Sequence, residues 1–118
     1  MENVLKISLL LDFYSQLMTE KQFSILDMHY NNDYSLGEIA EYLNISRQGV
    51  YDNIKRGKAL LNSLEEKLGL ARKYLEQKQK LDGILEMLES LDVAKMDAAD
   101  REKIKHIEDE VKHLIEEL

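Results

Sequence analysis

No cysteine and no proline occur in the 118 residues, and glycine occurs only five times. The missing thiols exclude a disulfide framework, a thiol nucleophile and a thiolate metal site, and they suit a reducing compartment. Without proline, nothing in the backbone chemistry interrupts a long helix. Glu, Lys and Leu dominate the composition, all good helix formers, so the chain reads as all-α. Long apolar runs are missing too. The run from Ile7 to Leu11 is broken by Ser8 and stops at Asp12, far short of the ~18 apolar residues of a membrane span. It has no basic leader and no small-residue cleavage site. The expectation is a soluble, cytoplasmic protein with no membrane partner. Phosphate-binding glycine loops, H-E-x-x-H and nucleophile elbows are also absent, which points to a non-enzymatic protein without a cofactor.

What is present is 44% apolar and 33% charged residues, a globular balance at the size of one domain or of a small domain with a helical appendage. Net charge is −7. An acidic total works against non-specific nucleic-acid binding, which draws on phosphate neutralisation. The distribution is uneven. Residues 1–60 carry −2 and residues 61–118 carry −5. Within 46–58, Arg47, Lys55, Arg56 and Lys58 face only Asp52, a local +3.

That basic cluster falls on the most informative stretch of the chain, SLGEIAEYLNISRQGVYDNIKRGKALL, residues 35–61. Ser35 is placed as an N-cap, and Leu36, Ile39, Ala40 and Leu43 follow at the spacing of a short amphipathic helix. Asn44 and Ile45 make a turn. Ser46 caps a second helix, with Val50, Ile54, Gly57 and Leu61 facing inward. Two helices crossing through a short turn need a small residue at the crossing, and Ala40 supplies it. The pattern is a helix-turn-helix. With the apolar stripe turned inward, Gln48, Asp52 and Lys55 lie on the far side, Arg47, Tyr51 and Lys58 flank them on one side and Arg56 on the other. The candidate DNA-binding set is therefore Ser46, Arg47, Gln48, Tyr51, Asp52, Lys55, Arg56 and Lys58. Arg47 and Gln48 suit guanine and adenine edges, while Lys55, Arg56 and Lys58 suit phosphates. Asp52 would repel a backbone unless it accepts from a cytosine amino group. An ordinary solvated face is the alternative, because the motif also serves as scaffold.

Elsewhere the patterning predicts an apolar first helix over residues 3–18, buried on more than one side. A second helix, capped by Thr19, runs from about Glu20 to Asn32 with Phe23, Leu26 and Tyr30 as its main face and Ile25 and Met28 beside it. The motif's second helix continues to about Leu68 and stops at Gly69. A long helix follows over about Leu70 to Leu91, with Tyr74, Leu81, Ile84, Leu85, Leu88 and Leu91 as its stripe. Asp97 caps a last helix whose Ile104, Ile107, Val111, Leu114 and Leu118 fall at a/d spacing. This divides the chain into a helix-turn-helix domain over 1–68 and a C-terminal helical arm over 69–118. The arm's narrow stripe suits a homodimer seam or an arm folded back on the core. His106, Glu110 and His113 share a helix, but two His seven apart are about 10 Å apart along the axis, too far for one tetrahedral ion. No metal site is expected.

In the spacing Ile39–Ala40, Leu43, Ile45–Ser46, Val50, Ile54, Leu61, the motif resembles region 4 of bacterial sigma factors, with Asn44 where glycine is common. A longer resemblance covers most of the first 70 residues. LLLDFYSQLMTEKQFSILDMHYNNDYSLGEIAEYLNISRQGVYDNIKR and LLNSLEEKLGL are similar to the YlxM family of small bacterial proteins. That family is sigma-region-4-like and is linked to the signal recognition particle pathway by gene neighbourhood with the particle's GTPase and receptor. The resemblance implies a regulatory component of that pathway. Two partner classes follow: double-stranded DNA, or the signal recognition particle's protein or RNA bound by a non-enzymatic accessory factor. A third reading keeps the motif as scaffold and gives partner binding to the C-terminal helices. The family brings no catalytic residues.

Overall fold

The computed structural model describes residues 4–118, so residue 3, the expected start of the first helix, lies outside the described residues. Among the described residues there are six α-helices and no strand. In order they are α1 Val4–Tyr14, α2 Glu20–Leu26, α3 Leu36–Leu43, α4 Arg47–Leu68, α5 Leu70–Glu89 and α6 Ala98–Glu117. Short 3₁₀ turns cover Ser15–Leu17 and Val93–Lys95, and a π-helical turn covers Asp27–Asn31. The helices form two compact units, the first closing at Ala71 and the second running Arg72–Leu118.

In the first unit α4 is the central element and packs on α1, α2 and α3. Ile7, Leu10, Leu11 and Tyr14 bury one face of α1, at i, i+3, i+4 and i+7. Leu9 and Phe13 pack only partly, and Leu5 is 76% exposed, so the burial of α1 is narrower than its composition suggests. From α2 the core takes Ile25 and Leu26. Phe23, Met28 and Tyr30 are half-buried around them, so the face is centred on the pair expected only at its edge and middle. Beyond this pair the helical phase shifts at the π turn. The Asn32 N–H donates to the Asp27 carbonyl five residues back, at 3.1 Å. Such a turn inserts one residue into the helical period and rotates everything after it. Side chains hold the turn: Asn31 Nδ2 donates to Asp27 Oδ1 at 2.7 Å and Ser8 Oγ donates to Asn31 Oδ1.

Local chemistry places each helix end. Thr19 and Gln22 make a capping box at the start of α2, with bonds of 3.1 and 3.2 Å. Ser35 and Glu38 make a second at the start of α3, at 3.1 and 3.0 Å. The Ser35 N–H donating to its carboxylate holds Glu38 below the usual carboxylate range. Gly69, at φ 62°, ends α4. Next to it, Glu65 Oε1 accepts from Tyr14 Oη at 2.6 Å and from the Ala71 N–H at 3.1 Å, while the Leu70 N–H donates to Tyr14 Oη at 3.1 Å. The first two N–H groups of α5, which have no partner within their own helix, are thus satisfied by α1 and α4. That is why Leu70 and Ala71 belong with the first unit. Burial, reinforced by the bond to Glu65, pushes the Tyr14 hydroxyl up from its ordinary pKa.

The second unit has a thinner interior. In α5, Tyr74, Leu81, Leu85 and Leu88 are half-buried and Ile84 is exposed, as is Leu91 just beyond the helix end. In α6, Val111 is buried and Ile104 and Ile115 are half-buried, while Ile107, Leu114 and Leu118 are exposed. Asp97 accepts from the Asp100 N–H at 2.8 Å and caps α6 as expected. His113 lies 3.0 Å from Glu117 and His106 4.0 Å from Glu110. Each imidazole thus faces the glutamate one turn on, and among the described residues no cluster of three His, Asp or Glu could hold a metal ion. None of the helices among the described residues is long and apolar enough to cross a membrane.

Candidate nucleic-acid interface

The helix-turn-helix is assembled from three backbone features. Asn44 takes the left-handed conformation at φ 56°, ψ 47°, and closes α3. Asn tolerates this region better than other residues with a Cβ, so the turn forms without glycine. The Ile45 N–H then returns to the Ala40 carbonyl at 3.0 Å. Ser46 starts α4, its Oγ accepting from the Gly49 N–H at 2.9 Å.

Val50, Ile54, Gly57 and Leu61 are all buried, the stripe expected from the sequence. Gly57 is required by space: a Cβ there would lie 2.6 Å from Leu26 Cδ1, and Leu26 is fully buried. Ala40 is buried in the same core. Two small residues, one on each helix of the motif, therefore set how closely its surroundings approach.

With that stripe fixed, the opposite face of α4 is turned to solvent. Ser46, Arg47, Gln48, Tyr51, Asp52, Lys55 and Arg56 are exposed, and Lys58 is half-buried at the edge. From Arg47 to Lys58 the face is about 16 Å long at 1.5 Å per residue. The side chains are not independent. Gln48 Nε2 donates to Asp52 Oδ1 at 3.1 Å, so the carboxylate in the middle of the face is occupied by a neutral amide one turn back. Arg56 Nε donates to the Asp52 carbonyl at 3.4 Å, which lays its guanidinium along the helix.

Arg47 departs from the simple radial placement. A Cβ added at Gly37 would come within 3.0 Å of Arg47 Nη2 and 3.2 Å of its Nε. The guanidinium therefore lies across the first turn of α3, over a residue with no side chain. Periodicity gives an angle around a helix and not the fold-back of a long side chain, so sequence reasoning missed Gly37. It also passed over Tyr42, which is 71% exposed on α3. Its signal was legible: Tyr42 falls off the stripe of Leu36, Ile39, Ala40 and Leu43.

Comparisons with known proteins agree with this architecture. A family model described as "Putative helix-turn-helix protein, YlxM / p13 like" (UPF0122) matches residues 1–107. A UPF0122 protein of Acetivibrio thermocellus is 54% identical over 116 residues, covering 98% of this chain and 99% of that one. One from Thermoanaerobacter sp. (strain X514) is 48% identical over 117 residues, covering 99% and 97%. Another, from Oceanobacillus iheyensis, is 45% identical over 109 residues, covering 92% and 97%. With the helix-turn-helix in place and similarity spanning nearly the whole of each relative, the chain belongs to the UPF0122 family of YlxM/p13-like helix-turn-helix proteins.

Proposed function

We propose that this protein is a homodimeric DNA-binding regulator that lays the first three turns of α4 in the major groove. The observation that supports this reading most is the outward face of α4, where four cations oppose one carboxylate in a chain of net charge −7. A major groove about 12 Å wide admits a helix. Lys55, Arg56 and Lys58 meet phosphates, and Gln48 reads a base edge near the helix start. Arg47, held over Gly37, reaches either a base or the backbone beside α3. Asp52 discriminates against duplexes that offer it no amino donor.

The test is duplex binding by the wild type and by an Arg47→Ala/Lys55→Ala double variant, followed by fluorescence anisotropy. Each lost phosphate contact should flatten the slope of log K against log salt by about 1. Unchanged affinity and slope in the double variant would remove α4 as the reader.

A second reading, drawn from the resemblance to the YlxM family, makes the protein an accessory factor of the signal recognition particle that binds its protein or RNA with the same helix. Asp52 at the centre of the face and the acidic total favour it, since both weaken a contact with duplex DNA. Retention of the particle's protein component from nuclease-treated lysate, together with no salt-sensitive duplex binding, would select this reading over the first.

A further inference from the structure

One flank of the second unit carries six exposed apolar side chains with Lys80, Lys103 and Glu110 among them, while the other is mostly charged apart from Leu75. The turn through Val93–Lys95 reverses the chain, and a groove of about 360 Å³ lined by Gln77, Lys80 and Leu81 of α5, Leu114 of α6 and Leu118 just after it sets the middle of α5 beside the end of α6. The two helices are antiparallel. Their shared seam carries Leu81 and Leu85 on α5 and Val111 and Ile115 on α6, which are the buried and half-buried positions. At about 100° per residue, Ile84 and Met87 lie to one rotational side of the α5 seam, with exposed Leu91 just beyond the helix end. Ile107, Leu114 and Leu118 lie to the same rotational side of the α6 seam. In an antiparallel pair, equal rotation places both sets on one flank of the hairpin. All six side chains are exposed, Met87 by 64%. The other flank carries Asp82, Glu86, Lys105, Lys112 and Glu116, also exposed.

We infer that a second copy of this chain covers the apolar flank, α6 against α6 about a two-fold axis, completing a four-helix bundle. This deepens the dimeric part of the proposed function and is independent of the DNA-binding part. Two observations select a second copy as the occupant. The first is that Val111 is the one buried residue of the whole Arg72–Leu118 unit, because two helices alone cannot enclose an interior. The second is that the flank is self-complementary. An antiparallel two-fold axis passing between Glu110 and Val111 sets Ile107 of one copy against Leu114 of the other. The same axis brings Lys103, at the outer edge of the flank, toward Glu117 and Leu118 of the other copy, a contact of opposite charge beside an apolar one. Glu110 shares the rotational side of Ile107 and Leu114, so the axis also brings the two copies' Glu110 side chains near one another, a like-charge contact that the apolar and Lys103–Glu117 contacts must outweigh. The regular a/d stripe seen in the sequence is therefore two stripes: Ile104 and Val111 close the hairpin, and Ile107, Leu114 and Leu118 close the dimer.

The experiment is sedimentation equilibrium of the full chain without DNA, with circular dichroism on each variant. The wild type should be a dimer. Ile107→Glu/Leu114→Glu should raise the dimer dissociation constant about thirtyfold or more, and Lys112→Glu, on the charged flank, should leave it unchanged. Lys103→Glu should weaken association about threefold to tenfold, and Lys103→Glu/Glu117→Lys should restore it. A wild type that stays monomeric would overturn the dimeric reading as well as this seam. A dimer that persists in a folded Ile107→Glu/Leu114→Glu variant would overturn the seam alone. If that variant loses its helix, the charge-reversal pair decides: no weakening, or no rescue, overturns the antiparallel α6 pairing.

Discussion

Replacing Tyr14 by Phe removes one oxygen from the joint between α1, α4 and α5. Tyr14 has no exposed surface, so the ring keeps its packing and only the hydroxyl's bonds are lost. One is a 2.6 Å bond donated to the Glu65 carboxylate, the other a 3.1 Å bond accepted from the Leu70 N–H. A hydrogen bond to a charged group contributes about 1.5–3 kcal/mol. The Leu70 N–H also loses its acceptor; a fully buried unpaired donor costs about 1–3 kcal/mol, and this one is only part-buried. Water reaches part of this joint, so the two contributions overlap, and the expected loss is about 2–4 kcal/mol at neutral pH. Urea unfolding followed at 222 nm measures it.

The pH dependence gives the same argument a second readout. Burial and Glu65 raise the Tyr14 pKa above the 10.0 of a free tyrosine. Above pH 10 the unfolded chain therefore gives up this proton while the folded chain keeps it. The unfolded state binds fewer protons, so stability falls as pH rises from 10 through the folded pKa. The contribution is fully present below pH 10. Tyr14→Phe lacks that titration, so the stability gap between wild type and variant should be constant from pH 7 to 9 and shrink above 10. A loss below about 0.5 kcal/mol, or a gap that holds constant or widens above pH 10, would refute the account of this joint.

Three further outcomes follow from single contacts. Gly57→Ala forces a Cβ against the fully buried Leu26. Overpacking of about 1–3 kcal/mol should outweigh the gain in helix propensity of up to about 1 kcal/mol, leaving a net loss of about 0.5–2 kcal/mol in urea unfolding; a more stable variant would mean that Leu26 yields. Gly37→Ala meets only the movable end of Arg47, so it should keep or slightly raise stability while displacing the guanidinium and weakening duplex binding about threefold or more; unchanged affinity would mean that Arg47 needs no seat there. Glu38, held low by the Ser35 N–H, stabilises the start of α3 above its ordinary pKa. That contribution should fade as pH falls through its folded value, and the Glu38 carboxyl chemical shift, followed by NMR, should titrate below 4.5.

The motif was legible because its determinants are local. Ser35, Asn44, Ser46 and Gly69 each act on backbone groups within four residues, and the run Val50, Ile54, Gly57, Leu61 needs only the helical period. Features set by packing were not. A π turn at Asp27–Asn31 breaks the period on which the face of α2 was read, and nothing in DMHYN announces it. Gly57 could be read as inward-facing, but not as the seat of Leu26, because the two are 31 positions apart in sequence. On α6 the a/d spacing is legible, but periodicity cannot say that Val111 is buried and Ile104 half-buried while Ile107, Leu114 and Leu118 are exposed. On the outward face of α4 the exposure of Arg47, Gln48, Tyr51, Asp52, Lys55 and Arg56 follows from the pattern. The Gln48–Asp52 bond and the fold-back of Arg47 depend on rotamers.

The central claim is that the outward face of α4 meets a polyanion, and the salt dependence of duplex binding tests it most directly. Anisotropy titrations between 50 and 200 mM salt should show log K falling linearly with log salt, with a slope of about −3 to −4 per subunit if all four cations of the face contact phosphate. Binding that is absent at 50 mM, or that does not change across that range, would contradict the account.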